Sequence, residues 1–247
     1  MKIIPLSEGT FTVDQTKKFI PYAQDKDDLQ QRTKGSLLVE IQPFLVITSK
    51  DILLLDTGLG FVDKNGQLQI HNNLISHGIK PTDVTKVLLS HLHKDHAGGI
   101  AQPGKSELSF KNAMYYINRK EWDYAFEKGF PSFHTEDFLL LQGTDQLVFS
   151  NDVGTINDYI FYEISGGHSP FHQVFLIDDE GEKVFFGGDV APQLLQMKNR
   201  FRAKYDYDGN WSMELRNKWW ESGELENWTF LFYHDIKTPI FKFKPGI

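Results

Sequence analysis

The seven residues from Ser90 to His96, SHLHKDH, decide the fold of this chain and the chemistry that the fold supports. Their first residue, Ser90, ends an apolar stretch, Thr85–Ser90, that is typical of a buried strand. Because alternate residues of an extended chain share a face, His91 and His93 should leave the strand on the same side. A tight turn or a helix start can then bring Asp95 and His96 to a second point nearby. We therefore predict one loop that serves two neighbouring metal ions, the alternative being a polar turn with crowded histidines.

Three later segments each place a metal-competent side chain just after a predicted strand. They are Gly166-Gly167-His168, Gly187-Gly188-Asp189 and Tyr233-His234-Asp235. The glycine pairs allow the backbone to approach closely. Taken singly, His168 could be a loop histidine, Asp189 a turn former and His234 a solvated strand end. Their shared position after strands favours a common site.

The wider pattern predicts a mixed α/β layered fold whose site lies on loops at one edge. No linker or repeat interrupts the chain, so we expect one domain over residues 1–247. The predicted helices lie near Leu74–Gly78, after an Asn118 cap, from a Thr135 cap through Leu141, and over Ser212–Glu221. The predicted strands cover Ser36–Ile47, Ile52–Leu55, Thr85–Ser90, Tyr159–Ile164, Gln173–Ile177, Lys183–Phe186 and Thr229–Tyr233.

Composition excludes several classes of protein. The 247 residues carry 26 Lys plus Arg against 33 Asp plus Glu, a formal net charge of −7, which argues against nucleic-acid binding. The chain has no cysteine, so any metal must be held by imidazole and carboxylate. No apolar run approaches the roughly 20 residues of a membrane helix. Residues Met1–Glu8 lack the apolar run of a secretory signal, and we expect no membrane association and a cytoplasmic location.

These motifs resemble the metallo-β-lactamase superfamily of metal-dependent hydrolases, whose H-x-H-x-D-H signature is present as His91–His96. The resemblance covers nearly the whole chain, from Asp56-Thr57-Gly58 to His234, in family order. It implies an α/β fold of the αββα type, in which two mixed β-sheets lie face to face between helical layers. It also implies a ligand set for two metals: His91, His93 and His168 for one, Asp95, His96 and His234 for the other, and Asp189 bridging both.

The loops look nearest to the lactonase and organophosphate-hydrolase branch. Residues 90–99, 167–173 and 204–208 carry this likeness. Acyl-homoserine lactonases commonly have a tyrosine shortly after the bridging aspartate, whereas this chain has Ala191-Pro192-Gln193. Zinc β-lactamases typically use a cysteine ligand, which this chain does not have.

The resemblance implies a dinuclear hydrolase that uses a metal-bridging hydroxide to cleave a small-molecule ester, with a lactone or carboxylic ester favoured. Two divalent ions about 3.5–4 Å apart can lower the pKa of a shared water toward about 7. Zinc is the expected metal, and manganese, iron or cobalt would also suit these ligands. Asp95 is the candidate catalytic proton acceptor. The alternatives are a phosphotriester or phosphodiester hydrolase, a glyoxalase II-like thioesterase and, last, a non-catalytic metal sensor.

Further residues are candidates for supporting roles. Asp56 could orient a ligand histidine or cap a turn, and one residue can do both. We expect His172 to pack behind the ligands, because seven ligands already satisfy two metals. Tyr205, Phe133 and Phe138 are candidate pocket residues. The apolar segment 130–141 could be a lid, a contact in a homodimer, or ordinary core.

Overall fold

The fold is built on two six-stranded sheets, and the computed structural model describes residues 1–243. The last four residues of the predicted domain, 244–247, lie outside the described residues. In the first sheet the strand order is β1-β5-β6-β7-β8-β9, with parallel pairing from β6 to β9 and antiparallel pairing elsewhere. Its strands are β1 (Lys2–Pro5), β5 (Phe44–Ile47), β6 (Ile52–Leu55), β7 (Lys86–Leu88), β8 (Met114–Asn118) and β9 (Leu147–Ser150).

The second sheet has the order β10-β11-β12-β13-β14-β15 and is antiparallel except between β13 and β14. Its strands are β10 (Val153–Ile156), β11 (Ile160–Ile164), β12 (Gln173–Asp179), β13 (Glu182–Phe186), β14 (Thr229–Leu231) and β15 (Ile240–Lys242). A small third sheet joins β2 (Gly9–Val13), β3 (Phe19–Pro21) and β4 (Leu37–Ile41). The helices are α1 (Gln69–Ser76), α2 (Lys94–Ala97), α3 (Arg119–Lys128), α4 (Leu194–Lys198) and α5 (Gly209–Glu226).

Alternation along the strands produces the layers. In β6, Leu53 and Leu55 face the second sheet, whereas Leu54 faces the opposite way, toward α1 and α3. On the other side of the molecule, Phe185 of β13 packs against Trp219 of α5, with ring centroids 4.9 Å apart. Apolar clusters therefore lie between the sheets and outside each of them. This confirms the predicted αββα sandwich with two mixed sheets.

Two predicted elements differ in kind in the structure, and others differ in their bounds, as α1 begins at Gln69 and β14 ends at Leu231. The stretch Ser36–Ile47 is divided at Gln42-Pro43 into β4 and β5, because proline has no N–H for a strand ladder. The helix predicted from Thr135 through Leu141 consists of two 3-10 turns, Thr135–Asp137 and Leu139–Leu141. Between them Phe138 has φ −127° and ψ −6°, which interrupts a helix and directs its ring into the core.

The predicted cap at Asn118 is confirmed, since its side-chain oxygen accepts a hydrogen bond from Lys120 N at 2.8 Å. The helix predicted over 212–221 is longer, as α5 begins at Gly209 after an Asp208 cap. Among the described residues, no helix is both long and apolar enough to cross a membrane. The ends of β7, β11, β13 and β14 lead into the predicted ligand loops, which meet at one edge of the sandwich.

Candidate metal centre

The structure brings the seven candidate ligand side chains together in two adjoining groups. The first, named here the His91 group, contains His91, His93 and His168, whose ligand atoms lie within 4.8 Å of one another. The Nε2 atom of His91 is 2.9 Å from Nδ1 of His93, and Nε2 of His168 is 3.1 Å from the same atom. The Oδ2 atom of Asp189 lies 3.2 Å from His168 Nε2 and completes this group.

The second, named the His96 group, contains Asp95, His96 and His234. The other oxygen of Asp189, Oδ1, lies 3.1 Å from His96 Nε2 and 2.9 Å from His234 Nε2. Asp95 Oδ2 is 3.6 Å from His96 Nε2 and 3.5 Å from His234 Nε2. The two oxygens of one carboxylate thus face two different sets of imidazole nitrogens.

The far side of three ligand rings is held by a hydrogen bond that fixes the position of the Nδ1 proton. His96 Nδ1 donates to Asp56 Oδ2 at 2.7 Å, and His168 Nδ1 donates to Asp206 Oδ1 at 3.1 Å. His234 Nδ1 donates to the main-chain oxygen of Glu40 at 2.7 Å. In the neutral form of each of these three rings the proton lies on Nδ1, and the ring presents a bare Nε2 lone pair to its group.

This arrangement fits divalent cations. His96 Nε2 and Asp189 Oδ1 lie 3.1 Å apart, and both are buried with no hydrogen-bond partner among the described residues. Whenever the His96 ring is neutral with its proton on Nδ1, both of these atoms are acceptors. Acceptors held this closely repel each other unless a cation lies between them. A set of imidazoles and carboxylates without thiolates suits zinc, manganese, iron or cobalt.

The ionisation of the His91 group favours the same fit. Burial and the neighbouring imidazoles lower the pKa of His91 and of His93 well below the ordinary histidine value. Both rings are therefore neutral at pH 7. Burial opposes ionisation of Asp189, but the imidazoles around it outweigh burial and hold its pKa well below its usual range.

In the His96 group the neighbouring charges raise the pKa of the histidines. Burial lowers the pKa of both histidines, but the adjacent carboxylates, Asp189 first, outweigh burial. The pKa of His96 is raised well above its ordinary value, and that of His234 is raised as well. A metal cation at this position would compete with protons for the two rings.

Matches to known proteins agree with this geometry. The model of the metallo-β-lactamase superfamily matches residues 41–234, a range that includes all seven candidate ligands. The chain belongs to the metallo-β-lactamase superfamily. The resemblance predicted from the histidine loop is therefore confirmed.

Individual relatives of this superfamily member are lactonases and hydrolases. The N-acyl homoserine lactonase AttM of Azorhizobium caulinodans is 33% identical over 112 residues, which cover 40% of this chain and 38% of the lactonase. The match thus spans well under half of that relative's length. A probable metal-dependent hydrolase from Staphylococcus aureus superposes with a TM-score of 0.78 at 22% identity, covering 98% of this chain and 91% of the other. AidC, a dizinc quorum-quenching lactonase, superposes at 0.73 with 20% identity, covering 99% and 90%. At these identities the superpositions show a shared fold.

The turn before Asp189 is tightly packed in this superfamily member. Gly188 has φ +48°, and a Cβ atom there would lie 2.6 Å from His172 Nε2 and 2.8 Å from Ser90 Cβ. His172 is fully buried, and its Nε2 accepts a hydrogen bond from Asp189 N at 3.2 Å. His172 thus lies behind the ligands, as the sequence suggests, and contacts the main chain of Asp189.

Two cavities adjoin the groups, and both are lined by His93, His168 and Tyr205. The larger has a volume of about 860 Å³ and the smaller about 380 Å³. The Tyr205 hydroxyl accepts a hydrogen bond from Gln196 Nε2 at 3.3 Å, and burial raises the pKa of Tyr205 to about 12. The phenol is therefore protonated near neutral pH.

The apolar segment 130–141 divides between core and cavity wall. Phe133 lines the smaller cavity, with its ring centroid 4.7 Å from that of His93. Phe138 does not line either cavity in the described part of the chain, because it is fully buried against Trp122 and Phe126. Phe138 therefore lies in the core and not in the pocket for which it was predicted. Phe130 is 78% exposed at the rim of the smaller cavity.

Sequence reasoning missed several supporting groups. Asp206 lies in the segment 204–208 that carries the family likeness, but nothing in its spacing pairs it with His168. The Glu40 carbonyl that holds His234 is a main-chain group and has no sequence signal. Glu121 is buried, accepts hydrogen bonds from Leu92 N at 3.2 Å and from the Ser169 hydroxyl at 2.9 Å, and so joins two ligand loops. Burial raises the pKa of Glu121 to about 7.

Proposed function

We propose that this protein is a dinuclear metal-dependent hydrolase that cleaves an ester, with a lactone or carboxylic ester as the favoured substrate. One observation carries the proposal. The two oxygens of Asp189 face separate groups of imidazole nitrogens, as a carboxylate that bridges two cations would. Two cations at a fixed separation form a hydrolytic centre that needs no serine or cysteine nucleophile.

The relatives support an ester of small molecules as the substrate. AttM is an N-acyl homoserine lactonase, and AidC is a dizinc quorum-quenching lactonase. The larger cavity, at about 860 Å³, has room for a small molecule of this kind beside the ligands. Zinc is the metal we propose, because the donors are imidazole and carboxylate and AidC is described as dizinc.

The residues of this chain would have two roles at the centre, to hold the cations and to orient the rings that hold them. His91, His93 and His168 would hold one cation, Asp95, His96 and His234 the other, and Asp189 both. When bound, the cations would supply Lewis acidity that lowers the pKa of water and polarises the ester carbonyl. Asp56, Asp206 and the Glu40 carbonyl would keep the rings oriented.

Asp95 is the proposed proton acceptor. It lines the larger cavity, so its carboxylate can reach an attacking water. The carboxylate oxygen that does not hold the cation would accept that water's proton and return it to the leaving oxygen. Asp95→Asn should lower kcat by about 100-fold or more while retaining metal. Normal turnover in an Asp95→Asn protein that holds both metals would dismiss this role.

Tyr205 is the proposed donor to the developing oxyanion. Its hydroxyl oxygen already accepts a hydrogen bond from Gln196, so its own proton is directed elsewhere, and its ring lies 5.9 Å from that of His168. The tyrosine typical of lactonases is replaced by Ala191-Pro192. Tyr205→Phe should lower kcat by about 10-fold or more with little change in KM. A loss in KM alone would assign Tyr205 to substrate binding instead.

A substrate panel tests the reaction class. Metal-loaded protein is assayed on lactones, aryl esters, thioesters and phosphotriesters, beside Asp189→Ala protein and protein stripped by a chelator. We expect metal-dependent hydrolysis, fastest on a lactone or carboxylic ester. Faster turnover of a thioester or phosphoester would reassign the substrate, and flat activity across the panel would favour a sensor.

A further inference from the structure

The larger cavity is lined by four cationic side chains and, besides the candidate ligands Asp95 and Asp189, by one acid, Asp14, although the chain as a whole carries −7. Its lining residues include Lys17, Lys94, Arg202 and Lys204. Lys94 is paired, because Nζ lies 2.9 Å from Asp137 Oδ2, a carboxylate that it shares with Lys105. Within residues 1–243, the other three form no ion pair with a carboxylate.

Lys17 is the cation that lines both cavities. It lines them together with His93 and His168, and it is half-buried. A turn sets its direction, since Lys17 N donates to Asp14 O at 3.0 Å and Lys17 has φ +58°. Burial and His168 lower the pKa of His93 most. The Lys17 ammonium lowers it further, as expected of a cation near that ring.

Asp14 lines the same cavity but forms no ion pair with Lys17 within residues 1–243. The carboxylate of Asp14 accepts hydrogen bonds from Thr16 N at 2.9 Å and from the Thr16 hydroxyl at 2.6 Å. These two hydrogen bonds hold the Asp14 carboxylate in its own turn. Arg202, an exposed residue that lines the same cavity, donates to the neutral side chain of Asn210 at 3.1 Å, and its charge is not cancelled there.

Apolar side chains line the same cavity as these cations. They include Val13, Phe19, Leu37, Val39 and Phe201. Such a cavity would accept an apolar arm and fix one charged group beside it.

We propose that the ester cleaved here carries an anionic group, a carboxylate or a phosphate, that binds Lys17, with Arg202 and Lys204 adding attraction within the same cavity. This inference rests on the proposed hydrolase function and names the class of its substrate. A charge-assisted hydrogen bond to a half-buried ammonium is stronger than one between neutral groups. The preferred ester is accordingly an anion with an apolar arm, which a neutral acyl lactone is not.

Matched substrate pairs test the preference. The first pair is mono-4-nitrophenyl adipate and neutral 4-nitrophenyl hexanoate, and the second is ethyl 4-nitrophenyl phosphate and its neutral diethyl ester. Each is assayed with the wild-type protein, Lys17→Met and, as the control, Lys18→Met, an exposed neighbour that does not line either cavity. We expect Lys17→Met to lower kcat/KM for an anionic ester at least about 10-fold more than for its neutral partner.

The substrate pair whose ratio of kcat/KM values changes in Lys17→Met identifies the anion as carboxylate or phosphate. Lys18→Met should leave both ratios unchanged, and high salt should reduce the anionic preference of the wild type. An equal effect of Lys17→Met on both members of both pairs would overturn the proposal.

A binding measurement separates this inference from the hydrolase function. Calorimetry on the metal-loaded protein compares N-butyl adipamate, an uncleavable anion, with neutral N-butylhexanamide. We expect tighter binding of the anion, and a loss of that difference in Lys17→Met. Anion affinity that is unchanged in Lys17→Met would place the anion on the metals and overturn the proposal. If no ester is cleaved, the hydrolase function fails, and the calorimetric result still decides whether Lys17 recognises an anion.

Discussion

Asp56 supports one metal position selectively, and its replacement by asparagine should expose this. The carboxylate accepts hydrogen bonds from His96 Nδ1, Ser90 N and the Ser90 hydroxyl, each at 2.7 Å. In Asp56→Asn, one of the two oxygens becomes an N–H₂ donor. Either that amide faces His96 Nδ1 and moves the ring proton to Nε2, or it faces the Ser90 N–H and leaves two donors opposed.

The size of the effect follows from the lost bond. A hydrogen bond to a charged group contributes roughly 1.5–3 kcal/mol, and each factor of ten in affinity corresponds to about 1.4 kcal/mol. We therefore expect metal affinity at the His96 group to fall by about 10- to 100-fold, the range typical of orienting carboxylates. The His91 group should change less, because Asp56 reaches His91 only through the Ser90 hydroxyl, and His168 is held by Asp206.

Zinc occupancy of each group can be read from anomalous scattering in crystals equilibrated with graded chelator. Asp206→Asn is the matched variant, because Asp206 Oδ1 holds His168 of the His91 group at 3.1 Å. Asp206→Asn should weaken zinc binding at the His91 group more than at the His96 group. Equal loss at both groups in Asp56→Asn, or no loss at either, would refute the orientation argument.

Three further predictions concern stability. Chelation should lower the melting temperature by several degrees, and added zinc should restore it, because a ligand bound only by the folded state stabilises that state; an unchanged melting temperature in calorimetry would contradict this. Burial raises the pKa of Glu8 from 4.5 to about 8. The folded state therefore holds a proton that the unfolded state releases above pH 4.5, and the free energy of unfolding should fall as pH rises from about 5 to 8. Urea unfolding of Glu8→Gln against wild type should show the variant gaining relative stability over that range, and a constant difference would argue against a buried neutral Glu8. Phe186→Ala, between the sheets, should cost about 3–5 kcal/mol, whereas Phe130→Ala at the exposed rim should cost less than about 0.5 kcal/mol; similar urea midpoints for both would contradict this account of the core.

The sequence by itself determined the chemistry of the ligand loop and the alternation of the strands. The spacing of His91, His93, Asp95 and His96 is local, so strand and turn geometry could predict that they serve two points. The apolar runs of β6 and β7 likewise predicted buried strands. The αββα order came from the family resemblance, and the apolar clusters on both faces of each sheet confirm it.

Only the tertiary structure decided which distant groups meet. Asp206 reaches His168 across 38 positions, and the Glu40 carbonyl reaches His234 across 194. Phe138 is drawn into the core beside Trp122, although its sequence context would equally suit a pocket. Such contacts depend on the packing of sheets and loops that are remote in sequence, and short-range periodicity carries no information about that packing.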